Sequence, residues 1–481
     1  AFRRSDPSAA AFGVCYGLCA FFMGYYWNIM WLDAVVVFPL VMLGIWYIIE
    51  EGKSLTYVIS LAYVMMTNYY MAYMTCILSV IFFLYFYFSK YSLSTKVNKN
   101  IILKDKYKNT LGTKFFNSTF MMRGVNFASS SILAALIAAF ALLPVFFILQ
   151  KSSATNSSFP TTFSSYFTIF DFFANHLAGV EPTIRSSGDA VYPNVYCGIL
   201  TLVLVPLFMF CKKISTSEKI ATGAVAAVFF LSFNVNVLNY IWHGFHFPND
   251  LPYRFSFAYS FFLLYVAYRA FTKIDKISSR DILASAALVA GFAVIVEKVG
   301  SANVNLKVVW TSVIFAVVYA VVLTFIKNPK YLRTSMSILL LTCVCAELLV
   351  ADTPNYKVTQ TKTSYTGSYE DTMAAIDIVK EKEGEDSFYR MELVTLLTRM
   401  DNCWFYYPGV STFTSMAYED VAHLQDHLGL YGNKINSYTY NCQTPLYNAM
   451  MSIKYLVDNS TYVPTDNYKP PLDGDFIYNK I

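Results

Sequence analysis

The residues with most chemical potential fall in one stretch, Asn239-Tyr240-Ile241-Trp242-His243-Gly244-Phe245-His246-Phe247-Pro248-Asn249-Asp250-Leu251-Pro252-Tyr253-Arg254-Phe255-Ser256-Phe257. Gly244, Pro248 and Pro252 interrupt helix, and His243, His246, Asn249 and Asp250 stand among aromatic rings. Arg254 is the odd member. It opens an apolar run, where a cation opposes the helix macrodipole. On the orientation derived below, it also sits on the side of the membrane that disfavours Lys and Arg. Two penalties at one position point to a fixed anion, for which a lipid-linked phosphate is the functional reading. The plainer reading pairs Arg254 with Asp250 or lets it snorkel to headgroups. His243 and His246 could donate hydrogen bonds to the same phosphate or bind a divalent metal, although two His alone do not complete a metal site.

A second cluster, Asn28-Ile29-Met30-Trp31-Leu32-Asp33, precedes another apolar run. Asp33 reads either as the N-cap of the following helix or as a catalytic carboxylate that deprotonates an acceptor hydroxyl. Asn68-Tyr69-Tyr70 marks a tight turn, in which Asn68 is a turn residue or a substrate contact. Glu347 lies within an apolar segment near one end, where an acid faces a cavity or reaches solvent. Of the nine Cys, only Cys403 and Cys442 lie in the polar tail, and a disulfide between them is one expectation. No P-loop, GxSxG elbow, HExxH or dinucleotide-binding pattern occurs.

The elements that carry these residues are set by composition. Of 481 residues, 56% are hydrophobic and 14% charged, against about 25% charged in soluble chains. So little charge over such a length implies lipid as solvent. The net charge of +5 is modest, and no basic patch interleaved with aromatics suggests nucleic acid. Apolar runs predict about eleven spanning helices, near 8–27, 34–50, 54–67, 71–89, 129–149, 195–211, 219–239, 253–271, 281–297, 306–326 and 335–352. The connection 90–124 holds Lys90, Lys96, Lys99, Lys104, Lys106, Lys108, Lys114 and Arg123 against Asp105, so it is expected inside. Counting from it places Arg3/Arg4, Lys53, Lys212/Lys213, Lys273/Lys276/Arg280 and Lys327/Lys330/Arg333 inside as well. The connections 28–33, 68–70, 150–194, 240–252 and 298–305 and the tail are then outside.

In the long loop, Phe163, Tyr166, Phe167, Phe170, Phe173 and Leu177 recur at helical spacing. They predict an amphipathic helix, either in the membrane interface or packed on the bundle. The chain accordingly divides into a transmembrane domain, 1–352, and a mixed α/β domain, 353–481. In the latter, helices are expected over 369–382 and 418–430 and strands over 388–394 and 453–457.

Several short motifs in order resemble the bacterial YfhO-like membrane proteins, grouped with the GT-C class of glycosyltransferases. They are Asn28 to Asp33, Asn68-Tyr69-Tyr70-Met71, Tyr192-Pro193-Asn194-Val195-Tyr196-Cys197-Gly198 and the stretch Trp242 to Phe257. In the tail, Phe388-Tyr389-Arg390-Met391-Glu392 and Ser452-Ile453-Lys454-Tyr455-Leu456-Val457 belong with them. The resemblance covers nearly the whole chain. It implies transfer of a sugar from a polyprenyl-phosphate carrier to an extracytoplasmic acceptor such as lipoteichoic acid in the bacterial cell envelope. On that reading Asp33 is the catalytic candidate within the chain. His243, His246, Asn249, Asp250, Arg254 and Asn68 contact substrate. The GT-C catalytic loop is expected upstream of Ala1, the chain being read as a fragment. A lipid or polysaccharide transporter without chemistry is the main alternative. Transporters place broken helices and ionisable groups near the bilayer midplane, whereas here the polar residues gather at one surface. An assembly factor using the tail as a binding module is a third option.

Overall fold

The computed structural model describes residues 7–91, 119–152, 158–186, 191–248, 250–299, 304–328, 333–356, 361–384, 387–441 and 443–458. The chain divides into two compact units. The first, Ala1–Leu143 with Ser157–Lys357, is a helical bundle; the second is Pro144–Asn156 with Val358–Ile481.

The bundle opens with α1 (Pro7–Gly17), α2 (Ala20–Tyr25), α3 (Ile29–Glu51), α4 (Leu55–Thr67) and α5 (Tyr69–Phe88). It continues with α6 (Thr119–Ile137), α7 (Ala139–Leu149), whose part from Pro144 belongs to the second unit, α8 (Ile169–Ala174), α9 (Ile199–Phe210), α10 (Thr216–Asn234) and α11 (Asn236–Trp242). The last helices are α12 (Ser256–Phe271), α13 (Ser279–Val299), α14 (Leu306–Lys327) and α15 (Arg333–Asp352). Among the described residues, seven segments are long and apolar enough to cross a membrane: Pro7–Tyr25, Ile29–Glu51, Tyr69–Phe88, Thr119–Ile137, Ser279–Val299, Leu306–Lys327 and Thr334–Asn355. Leu55–Thr67, Ala139–Leu149 and Ile199–Phe210 are apolar but shorter. The 16 residues of α12 reach only about 24 Å at 1.5 Å per residue.

Three local expectations change. The run 129–149 is not one helix: α6 begins at Thr119, and a break at Ala138 separates it from α7, which contains Pro144. The amphipathic helix of the long loop shrinks to α8, which Thr168 and Asp171 start with reciprocal caps. Phe172 and Leu177 are buried, while Phe163 and Tyr166 stay exposed outside it. Asp33 is not an N-cap. Helix α3 starts at Ile29 after Asn28, which puts Asp33 in its second turn.

Small residues set how closely these helices pack. A Cβ on Gly44 of α3 would lie 2.5 Å from both Cα and N of Tyr57 in α4, so the two helices touch backbone to backbone. Elsewhere α13 packs on α14, α9 on α12 and α1 on α15. The interior is strongly aromatic, with Phe21, Phe38, Phe82, Phe208, Phe229 and Phe233 fully buried.

The second unit contains a small sheet-bearing fold. Strand β1 (Arg390–Leu393) pairs in parallel with the distant last strand, Ile453–Val457. A parallel pair needs a crossover, and the chain between supplies α18 (Asp401–Trp404), β2 (Thr412–Phe413), α19 (Glu419–His427), β3 (Tyr431–Gly432), β4 (Ser437–Thr439) and α20 (Pro445–Met450) before β5 (Ile453–Val457). Strands β2, β4 and β3 form a separate antiparallel sheet. Ahead of β1 lie α16 (Lys362–Thr366) and α17 (Tyr369–Glu383). Ile376 and Val379 of α17 pack with Met391, Leu393, Phe405 and Tyr407 in a small core.

Candidate functional site

Residues 243–248 and 250–255 form an irregular connection between α11 and α12. Four of its residues have left-handed φ values: Gly244 (75°), Phe245 (64°), Leu251 (59°) and Tyr253 (56°). For non-glycine residues this region costs about 1–2 kcal/mol each, so the surroundings must hold the loop. Tyr73 donates to the carbonyl of Ile241 at 2.9 Å, and Tyr25 donates to that of Pro252 at 2.7 Å. Below, the rings of Trp242, Phe255 and Phe233 stack in succession, with centroids 4.3 and 4.8 Å apart.

Arg254 precedes α12 by two residues and is half-buried. Its guanidinium lies 4.6 Å from the ring centre of Tyr70 and 5.1 Å from that of Trp31. Nε donates to Leu251 O at 3.0 Å and Nη2 to Asp250 O at 2.8 Å. The Arg254–Asp250 ion pair of the plainer reading is absent. The Asp250 carboxylate is taken by Arg185 (2.5 Å) and by the backbone and hydroxyl of Ser186 (2.8 and 3.0 Å). Burial raises the Asp250 pKa, but the hydrogen bonds from Arg185 and Ser186 outweigh it and hold the carboxyl below its usual range. Arg254 has no carboxylate partner among the described residues.

Around this cation three buried polar atoms lack any hydrogen-bond partner: Tyr70 Oη, His243 Nε2 and His246 Nδ1. Both imidazoles lie beside the Tyr70 ring, at 6.0 and 6.1 Å between centroids. His243 is fully buried, and its Nδ1 lies 2.7 Å from the carbonyl of Asn239. A carbonyl only accepts, so Nδ1 carries the proton and Nε2 presents a lone pair. Burial, reinforced by Arg254, pushes the His243 pKa down to about 3. The ring is therefore neutral. The expectation that His243 donates to a phosphate is corrected: its free nitrogen accepts. Burial and then Arg254 also lower His246, against a backbone hydrogen bond that raises it. Buried polar atoms without partners are rare in folded proteins, and three of them gather beside a cation that has no carboxylate partner among the described residues.

The other predicted residues are placed differently. Asn68 caps α5, accepting from Met71 N at 2.9 Å, and its amide donates to Met30 O at 3.2 Å. Asp33 is exposed. Two residues along a helix turn about 200°, so Asp33 leaves α3 on the side opposite the buried Trp31, away from Arg254. Asn249 lies outside the described residues. Glu347 neither lines an open cavity nor reaches solvent. It is fully buried, accepting from Tyr196 Oη (2.7 Å), Tyr319 Oη (2.5 Å) and Ile199 N (2.5 Å). Cys403 is a free, exposed thiol, and Cys442 lies outside the described residues. Among the described residues, no group of three His, Cys, Asp or Glu is arranged to hold a metal ion.

Trp31, Tyr70 and Arg185 complete the site without having been singled out as site residues. Tyr70 lies two residues after Asn68 and Trp31 two residues before Asp33, so both are carried by the same short motifs. Nothing in the sequence joins Arg185 to Asp250.

No curated protein and no solved structure matches the chain. A family model described as bacterial membrane protein YfhO matches residues 1–478. With its apolar bundle, its sheet-bearing second unit and a match over nearly its full length, the chain belongs to the YfhO family of bacterial membrane proteins.

Proposed function

We propose that the chain is a GT-C-like glycosyltransferase of the bacterial cell membrane. In this reading the shorter helices also traverse the bilayer, giving about eleven crossings, and the second unit is extracytoplasmic. A sugar passes from a polyprenyl-phosphate carrier to a cell-envelope acceptor such as lipoteichoic acid. The observation that supports it is the unpaired Arg254 between Trp31 and Tyr70, ringed by the open polar atoms of Tyr70, His243 and His246. The carrier phosphate meets Arg254, whose planar fork suits a phosphate. The aromatic surroundings suit an isoprenoid chain.

The chemistry is a substitution at the anomeric carbon. The acceptor oxygen bonds to that carbon, the carbon–oxygen bond to the phosphate breaks, and the phosphate leaves with the bonding pair. Arg254 stabilises the charge it gains. The acceptor's proton goes to a base. His243 Nε2 has the free lone pair for this; burial first and the Arg254 charge second depress its basicity, and a bound phosphate offsets the second. Asp33 is the acidic candidate on the neighbouring helix. The transporter reading would use Glu347, but three donors already occupy that carboxylate.

The test supplies the protein in membranes with polyprenyl-phosphate sugars and follows release of free carrier phosphate. Release dependent on both acceptor and protein is expected. Movement of intact donor across the membrane, without release, would establish the transporter instead. His243→Gln should abolish release and Asp33→Asn should retain it; the reverse pattern would move the base to Asp33.

A further inference from the structure

The second unit carries a separate cavity of 630 Å³, lined by Thr366, Gly367, Tyr369, Glu370, Asp371, Cys403, Trp404 and Tyr406. Two features distinguish it from an ordinary surface dent. Its aromatic rings are held out by a rigid frame, and all its charge is negative.

The frame is built by two buried carboxylates. Asp401 accepts from Leu397 N (2.6 Å), Thr398 N (2.9 Å) and Thr398 Oγ1 (2.8 Å), which fixes the turn leading into α18. Glu392 on β1 accepts from the backbone of Val410 and, at 2.8 Å, of Ser411, closing the loop on its far side. Met391 N adds a bond to Pro408 O at 3.0 Å. Between these anchors the chain alternates. Phe405 and Tyr407 point into the core, and Tyr406 points out with 74% of its surface exposed. Tyr406 also takes a left-handed φ of 52°, a conformation that glycine or asparagine adopts with less strain. Trp404 beside it is 38% exposed and rests on Tyr365 and Tyr369, with centroids 5.0 and 5.6 Å away. A strained tyrosine that leaves most of its surface exposed adds little apolar burial to offset the strain, and its ring is free to meet a ligand.

We infer that this cavity binds a glycan segment that carries no negative charge, by stacking sugar faces on Trp404 and Tyr406 while Glu370 and Asp371 accept from its hydroxyl or amine groups. Aromatic rings offer a flat apolar face to the C–H face of a pyranose, and carboxylates are strong acceptors for its polar edge. No lining residue is cationic, so a polyphosphate backbone would meet only repulsion. The volume lies within the range of small-ligand sites. This inference does not depend on the Arg254 reading, because it concerns the other unit and binding alone.

The test uses the full chain in detergent, with chito-hexaose and its N-acetylated form as probes and a glycerol-phosphate oligomer as the polyanionic comparison. Calorimetry is expected to show saturable binding of the hexaoses, weakened at least about tenfold in Trp404→Ala and in Tyr406→Ala, and none of the oligomer. Cys403 gives a second readout, because bound hexaose should slow its alkylation in the wild type. Tyr406→Gly, which relieves the backbone strain while removing the ring, separates lost contact from lost folding: it should bind poorly and melt no lower than wild type. Absence of saturable hexaose binding, equal binding of the oligomer, or unchanged binding in both alanine variants would each overturn the inference. Carrier release in the transferase assay bears on Arg254 and leaves this outcome untouched.

Discussion

Arg254 is gripped by two aromatic faces and two carbonyls, a geometry that a planar guanidinium fills and an ammonium does not. Hydrogen bonds to charged groups are worth about 1.5–3 kcal/mol. Arg254→Lys should therefore lower carrier release about ten- to hundredfold and, because the two carbonyl bonds also hold the loop, lower the melting temperature as well. A fall no larger than twofold would remove Arg254 from the site. His243 makes a second prediction, in pH. The unfolded chain takes up its proton below about pH 6.5, whereas the folded chain resists protonation down to about 3. Between those values the unfolded state binds more protons, so the stability due to neutral His243 is complete above about pH 6.5 and is lost as pH falls. The melting-temperature gap between wild type and His243→Gln should shrink on acidification from about pH 7 to about pH 4. A constant gap would mean that the ring is not held neutral.

At the scale of elements, the apolar runs were readable because a lipid-facing helix must be apolar along its whole length. Helix breaks were less readable. The interruption between Gly17 and Ala20, and that at Ala138, depend on what packs beside them. The α3–α4 contact gives a sharp test. At Gly44 an added methyl would meet backbone, which cannot rotate away; Gly44→Ala should cost about 1–3 kcal/mol through overpacking. At Gly13, in α1, a methyl would enter open space, with nothing within 4 Å of it, so Gly13→Ala should be neutral or gain about 0.5–1 kcal/mol. Thermal unfolding of the two variants checks the contrast, and equal melting temperatures would contradict backbone contact at Gly44. In the second unit, the period-2 run near 388–394 and the short apolar run near 453–457 were legible as strands. Their mutual pairing was not, because they are separated by the whole crossover between β1 and β5.

For the whole molecule, orientation rests on the distribution of Lys and Arg rather than on packing. The basic connections alternate along the chain with connections that are poor in Lys and Arg. In a Cys403→Ser background, a membrane-impermeant thiol reagent applied to intact cells should label a cysteine placed at Lys382 and spare one placed at Lys276. Labelling at Lys276 with none at Lys382 would invert the topology. In the wild type, exposed Cys403 should react under the same conditions.

Composition and the order of short motifs determined that this chain is a membrane protein and to which family it belongs, because both are written along the chain and survive any change of packing. They also marked 239–257 as the stretch where polar groups and broken helix coincide. The tertiary structure decided what those groups can do. It gave Asp250 to Arg185 and set Arg254 between rings from α3 and α5. It turned Asp33 away and fixed the His243 tautomer through the Asn239 carbonyl. Each outcome depends on a partner distant in sequence, or on which atom of a ring faces a carbonyl. Residue types and spacing carry neither, since side-chain interactions act over a few ångströms in space whatever the separation along the chain.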